Sequence, residues 1–282
     1  MADSYFSKLQ IWDSWLPAIA PGRTFAPGRL TPDPGLAERL FADEALGRAA
    51  RDTADPFSLQ WFLDAEQARY HRSGAWIPRS LEFAKHGGET LLGLGDALGT
   101  DWVQYARHGA TVIACGPSPE RLDLVRRNFE LRGLPGRFLL VRPDSLPLET
   151  ATIDVACVST PLPELGEPSA IVSEVYRVLK PGGKVLAVAS AKYSVDYFRR
   201  FLPWPNRVEP SDTQRYSARG FRRLFDAFVE HRVYKRHLRR GDVPKLWRWL
   251  PIPLLERAVG KYVILKAFKP LSAAIPATPL AA

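Results

Sequence analysis

Scarcity narrows this chain first. Only two cysteines, Cys115 and Cys157, stand among its 282 residues. Each lies inside an apolar run that reads as a buried strand, so neither a disulfide framework nor a cysteine metal cluster is supported. The five histidines fall in no metal-ligand spacing. His86 and His108 sit at element ends, where surface or capping roles are expected, and no metal is predicted. No window reaches the roughly 18 apolar residues of a membrane span, and no basic N-terminal region precedes a continuous apolar stretch. The expected setting is therefore cytoplasmic, with neither export nor integral insertion. Acidic residues are scarce in the second part of the chain: residues 177–282 hold 22 Lys+Arg against 7 Asp+Glu, whereas residues 1–176 hold 17 against 23. A block this one-sided favours an anionic partner, such as a phosphorylated substrate, acidic lipid headgroups or nucleic acid. The plain alternative is a solvated basic face that keeps the protein soluble.

A hydrophobic content of 46% suffices for one sizeable α/β domain plus an extension. Residues 1–85 open with a proline-rich stretch (21–35) and continue with helical patterns. Leu36, Leu40, Phe41, Ala45 and Leu46 recur at helical spacing, and in SLQWFLDAEQARYHRS the residues Leu59, Phe62 and Leu63 can share a face. From residue 90 onward the apolar runs TLLGLG, ATVIACG, RFLLVRPD, TIDVACVS and GKVLAVAS alternate with helices near 100–108, 118–132 and 169–179, the pattern of a parallel sheet covered on both faces. Ser118, Pro119 and Glu120 specify a helix start, with Leu122, Val125 and Phe129 on one stripe. Lys180-Pro181-Gly182-Gly183 is a helix stop. A helix over 216–228 and strands over 230–238 and 261–269 complete the pattern. Residues 239–260, too long for a hairpin turn, mix basic residues with Trp247, Trp249, Leu250, Ile252, Leu254 and Leu255.

Residues 90–120 lay out a strand, a glycine loop, a helix and a second strand, the outline of a nucleotide-cofactor site. GLGDALGTDWVQYARHGATV (93–112), SPERLDLVRRNFELRGL (118–134) and above all EVYRVLKPGGKVLAV (174–188) resemble the class I S-adenosylmethionine-dependent methyltransferases of the type 11 group. Glu66-x-x-Arg69-Tyr70, with Pro78 and Phe83, is similar to the lead-in that some members place ahead of the first motif. The resemblance implies a seven-stranded, Rossmann-like α/β sheet with helices on both faces, its last strand antiparallel and a helical extension before it. It implies S-adenosyl-L-methionine as cofactor, held by Gly95 and Gly99 in the loop, Asp101 at the start of the following helix, Asp144 and Ser145 after the third strand, and Ser159 after the fourth. Asp144 stands where that family contacts the adenine amino group, with a solvated loop acid as the bland alternative. Asp101 reads equally as a first-turn acid complementing the helix dipole.

Two positions break the family pattern. Acids normally close the first strand, near the methionine end of the cofactor, and the second strand, where one accepts bonds from both ribose hydroxyls; here they read Gly93 and Gly116. Hydrogen bonds to a charged acceptor are worth roughly 1.5–3 kcal/mol each, so the missing ribose pair amounts to about 3–6 kcal/mol. Asp96 and Ala97 also depart from the loop pattern, and Asp96 would repel the cofactor's carboxylate. Asp64 and Glu66 are the nearest acids that a folded-over N-terminal arm would bring in.

The sequence names no catalytic base. Lys192-Tyr193-Ser194, following the fifth strand at the ligand-binding end of such sheets, is the segment to test, with an ordinary loop as the alternative. The organisation expected is an arm or lid over 1–85, a methyltransferase-like domain over 86–270 with an insertion over 239–260, and a flexible tail over 271–282. The function expected is methyl transfer to a small or lipid-like acceptor. The competing reading is a pseudoenzyme scaffold acting through its basic C-terminal region. Residues 232–255 fit an anionic membrane surface or a macromolecule, which would make the protein peripheral at a membrane, and a folded flap over an apolar substrate is the equal alternative.

Overall fold

A computed structural model describes residue 55 and residues 57–271 apart from 72–73, 96–97, 142–144, 160–166, 200–213, 244–246 and 248. The helical run expected at 36–46, the loop residues Asp96 and Ala97, Asp144 and the tail beyond 271 lie outside the described residues. The helices are α1 (Leu59–Tyr70), α2 (Ile77–Leu81), α3 (Thr100–Arg107), α4 (Pro119–Leu131), α5 (Pro168–Val178), α6 (Val195–Arg199), α7 (Ala218–Leu224) and α8 (Ile252–Val259). The strands are β1 (Thr90–Leu94), β2 (Thr111–Gly116), β3 (Arg137–Leu140), β4 (Ile153–Val158), β5 (Leu179–Ser190), β6 (Val229–Arg236) and β7 (Tyr262–Phe268).

The seven strands form one sheet in the order β3-β2-β1-β4-β5-β7-β6. Strands β1 to β5 pair parallel, and β7 runs antiparallel to both β5 and β6. Successive residues of β1 feed opposite faces, as strand geometry requires. Leu92 and Leu94 join Ile171, Val175, Phe221 and Phe225 on one side. Leu91 joins Trp102, Val125 and Phe129 on the other. Burial on both faces is why β1, β2, β4 and β5 read as near-continuous apolar runs. Cys115 and Cys157 are buried, free thiols within those strands, and burial pushes the Cys115 thiol up to about 12.

Local signals set the element ends. Ser118 caps α4 by accepting from the Arg121 amide at 3.4 Å, and Leu122, Val125 and Phe129 all face the core. Helix α5 stops at Val178 and β5 begins at once. Ile153 pairs with Leu179 and Val155 with Lys184, so Lys180–Gly183 bulges out between the two registers, with Gly182 at a φ of +77°. The helix expected over 216–228 is shorter. Helix α7 is capped by Ser217 and ends at Leu224, and the chain turns through Phe225 and Phe228, both buried, into β6.

Two expectations need correction. The buried stripe of α1 is Trp61, Phe62 and Ala65, while Leu59 is exposed and Leu63 only half-buried. Trp61, the largest apolar group, takes the core position against Phe57 and Phe62 at ring distances of 5.1 and 4.9 Å. His86 is not a surface residue: it is buried, with its Nδ1 2.7 Å from Glu89 Oε2. His108 does cap a helix end, its Nδ1 lying 2.8 Å from the Gln104 carbonyl.

Register fixes where the long insertion sits. Ser190, the last residue of β5, pairs with Tyr262 at the start of β7, and Tyr262 also pairs with Arg236 at the end of β6. The connection over 237–261 therefore leaves and returns at the carboxyl end of the parallel strands. There Leu238, Val243, Leu255 and Val259 build a small second core against Val195, with Phe198 and Trp247 packed on it.

Candidate functional site

Three backbone positions meet at the point where the strand order reverses. Leu94 of β1 pairs with Cys115 of β2 and with Val158 of β4, so Gly95, Gly116 and Ser159 emerge side by side at the carboxyl edge. The Ser159 amide donates to the Leu94 carbonyl at 2.9 Å. This is the switch point at which open α/β sheets bind ligands. Gly95 has a φ of +91° and Gly99 of +67°. At Gly99 a Cβ would lie 2.5 Å from Val125 Cγ1, so glycine is needed both for the turn and for the close approach of α3 to α4. Asn128, fully buried on α4, donates to the Leu98 carbonyl at 2.8 Å and accepts from Arg132 Nε at 2.7 Å. Asn128 thus fixes the far end of the glycine loop, a role its sequence context does not signal.

The two missing acids prove physically unlike. At Gly93 the space is filled: a Cβ would stand 2.7 Å from Trp102 Cδ2 and 2.8 Å from Cε2. The Trp102 indole is buried and stacked on Tyr105 at 6.5 Å. At Gly116 the nearest atom to such a Cβ is Leu122 Cδ1, 4.0 Å away. A side chain at the end of β1 is thus excluded by an indole, whereas one at the end of β2 has room.

Asp101 is fully buried and held by the chain's own groups. Arg69 grips it in a two-pronged pair (Nε to Oδ1 2.7 Å, Nη2 to Oδ2 2.5 Å), and the Tyr70 hydroxyl donates to Oδ1 at 2.7 Å. Its carboxylate docks α1 onto α3, which is the reverse of a ligand-facing role. Glu66 is equally committed, accepting from Gln104 at 2.9 Å and Arg107 at 2.6 Å and pairing with Arg132 at 2.7 Å. Burial draws the Arg132 pKa down, and Glu66 works against that. Asp64 accepts from Gln60 at 2.8 Å. Glu66 does not supply the missing carboxylate, because it is consumed in clamping α1 along α3 and α4.

The other predicted residues are spread out. Ser145 is exposed, and the segment after it is pinned to α5, with the Leu146 amide donating to Glu174 at 2.9 Å. Asp144 lies outside the described residues. In the Lys192–Ser194 segment the Lys192 amide donates to the Tyr216 carbonyl, the Tyr193 carbonyl accepts from Lys235 Nζ at 2.6 Å, and Ser194 is buried beneath α6. These contacts make the segment a tied loop. Tyr216, bridged to Ala191 just after β5, carries a buried hydroxyl with no hydrogen-bond partner among the described residues. Burial, then the Glu167 charge, raises its pKa, so at neutral pH it is a protonated donor or acceptor. No three His, Cys, Asp or Glu side chains among the described residues gather to hold a metal.

A nucleoside cofactor fits this edge at its loop and ribose end, where Gly95, Gly99 and Ser159 offer backbone and Gly116 leaves room. At the methionine end the fit relies on groups other than a β1 carboxylate.

Known proteins carry the same architecture. The family described as "Methyltransferase domain" matches residues 91–187. A demethylmenaquinone methyltransferase of Corynebacterium kroppenstedtii is 31% identical over 140 residues, covering 46% of this chain and 57% of that protein. A ubiquinone biosynthesis O-methyltransferase of Methylocella silvestris is 24% identical over 196 residues, covering 63% of this chain and 75% of its own length. The chain spans about half the length of the demethylmenaquinone methyltransferases it matches. Among solved structures, a SAM-dependent methyltransferase from Aquifex aeolicus superposes with a TM-score of 0.52 at 17% identity, over 77% of this chain and 99% of that one. At that identity the likeness speaks to the fold.

Proposed function

We propose that this chain, whose residues 91–187 match a methyltransferase domain family on a seven-stranded sheet, transfers a methyl group from S-adenosylmethionine to a lipid-like, quinone-type acceptor. The observation that carries the reading is the convergence of Gly95, Gly116 and Ser159 at the strand switch point, inside the segment matched by the domain family. The acceptor class is supported by the relatives named for demethylmenaquinone and ubiquinone biosynthesis and by the apolar insertion at the same end of the sheet.

When bound, the cofactor supplies a methyl group on a sulfonium sulfur. Gly95 and Gly99 would let the backbone approach it, Asn128 holds that loop through the Leu98 carbonyl, and the space over Gly116 would receive the ribose. Displacement at a methyl needs alignment of nucleophile, carbon and leaving sulfur more than it needs a strong base. The test is calorimetric titration with S-adenosylmethionine and S-adenosylhomocysteine, followed by mass spectrometry of reactions containing demethylated quinones. Binding and a gain of one methyl are expected. Absence of cofactor binding up to millimolar concentration would refute the reading and return the pseudoenzyme scaffold as the better account.

A further inference from the structure

We propose that the β6–β7 insertion is a membrane-docking surface that seats the carboxyl edge of the sheet on an anionic lipid bilayer; this rests on the lipid-like acceptor argued above. Two large apolar side chains in the insertion are left in water, Trp249 at 78% exposure and Leu254 at 63%. They lie five residues apart, on either side of the start of α8. Their neighbours are treated differently. Leu255 and Val259 are buried, and Leu250 and Ile252 pack against the same small core. Isolated exposed apolar residues need no explanation, but two flanking one helix start, beside a core able to take their neighbours, mark a surface meant for an apolar medium.

The charge around them is selective. The connection 237–261 holds six Lys and Arg against two acids, Asp242 and Glu256. Both acids are consumed internally. Glu256 accepts from Arg236 at 2.9 Å and from the His237 amide at 2.8 Å, and Asp242 faces Lys261 at 3.7 Å. Arg239, Arg240 and Arg257 are exposed and have no carboxylate partner among the described residues. Unneutralised arginines in the same connection as an exposed tryptophan and leucine, with Arg257 one turn along the helix from Leu254, match the headgroup level of an anionic bilayer, where indole prefers the interface and cations meet lipid phosphates. Nucleic acid would use the arginines but has no use for Leu254. Because the insertion leaves and returns at the carboxyl edge, docking would bring that edge to the membrane, where an apolar acceptor resides.

Sedimentation of the full chain with phosphatidylcholine vesicles, with and without phosphatidylglycerol, tests this at low and high salt. Binding to the anionic vesicles is expected, weakened by salt and reduced at least about tenfold in the double variant Trp249→Ser/Leu254→Ser. Arg239→Gln/Arg240→Gln should lower binding to anionic vesicles selectively. All four positions are exposed, so thermal melts of both variants should match the parent. Failure to bind vesicles, equal binding by the double variant, or displacement of bound vesicles by an oligonucleotide would overturn the proposal. Cofactor titration of the same proteins separates the two readings. Vesicle binding without cofactor binding would sink methyl transfer and leave docking standing, and the converse would sink docking alone.

Discussion

Replacing Gly116 with Asp and, separately, Gly93 with Asp puts the same side chain at the ends of two adjacent strands, yet the outcomes should be opposite. At Gly116 the incoming Cβ has 4.0 Å to its nearest neighbour, so the carboxylate enters open space. Two hydrogen bonds from ribose hydroxyls, less the desolvation of the acid, should yield about 3 kcal/mol. That corresponds to roughly hundredfold tighter binding of S-adenosylhomocysteine. At Gly93 the Cβ lands 2.7 Å from Trp102 Cδ2, and the indole has no room to retreat because it is buried against Tyr105. Overpacking of about 1–3 kcal/mol adds to the cost of a buried, unpaired carboxylate, for about 3 kcal/mol or more in total. For a chain of this size, thermal unfolding should fall by roughly 6–12 °C, with no gain in affinity. Calorimetry and thermal melts on the two single variants decide the matter. A folded Gly116→Asp protein with unchanged affinity, or a Gly93→Asp protein that melts like the parent and binds more tightly, would refute the reasoning.

Three further outcomes follow from side-chain contacts in the domain. Arg69→Ala removes the two-pronged partner of the buried Asp101 carboxylate and should destabilise by about 3–5 kcal/mol in urea melts; a loss below about 1 kcal/mol would contradict the clamp. Asn128→Ala removes one donor from the Leu98 carbonyl and should weaken cofactor binding by about tenfold, which calorimetry would read; unchanged affinity would remove Asn128 from the loop's support. Burial raises the Glu82 pKa, but Lys184 and Lys266 outweigh it and hold the folded carboxyl near 2 against 4.5 unfolded. The stability it adds is therefore complete above about pH 4.5 and lost as pH falls toward 2, amounting to about 1–2 kcal/mol after solvent screening. Urea melts of the parent and Glu82→Gln over that range should converge at the acid end, and parallel curves would refute the assignment.

The sheet was legible because buried parallel strands write themselves as apolar runs, and because capping residues such as Ser118 act on their immediate neighbours. Glycine positions were legible for the same reason, since a positive φ is a local demand. Partner choice was not. Asp101 and Glu66 look like available acids in the sequence, and only the docking of α1 shows that Arg69, Arg107 and Arg132 have claimed them. The filling of Gly93 by Trp102 was equally hidden: nine residues separate them, and nothing in an indole's own context says which gap it closes. The rotated stripe of α1 failed for a related reason, because Trp61 outcompetes Leu59 and Leu63 for burial once a core is present.

The Gly93–Trp102 contact also bears on which sequences can lie next to this one. An acid at 93 with the indole in place is overpacked, and a smaller residue at 102 with glycine in place leaves a cavity costing about 3–5 kcal/mol. Each single step is downhill in stability, and only the pair together restores a packed strand end. The position is an epistatic lock: with glycine and tryptophan in place, a carboxylate at 93 costs stability unless 102 changes with it, whereas a carboxylate at the unobstructed Gly116 does not.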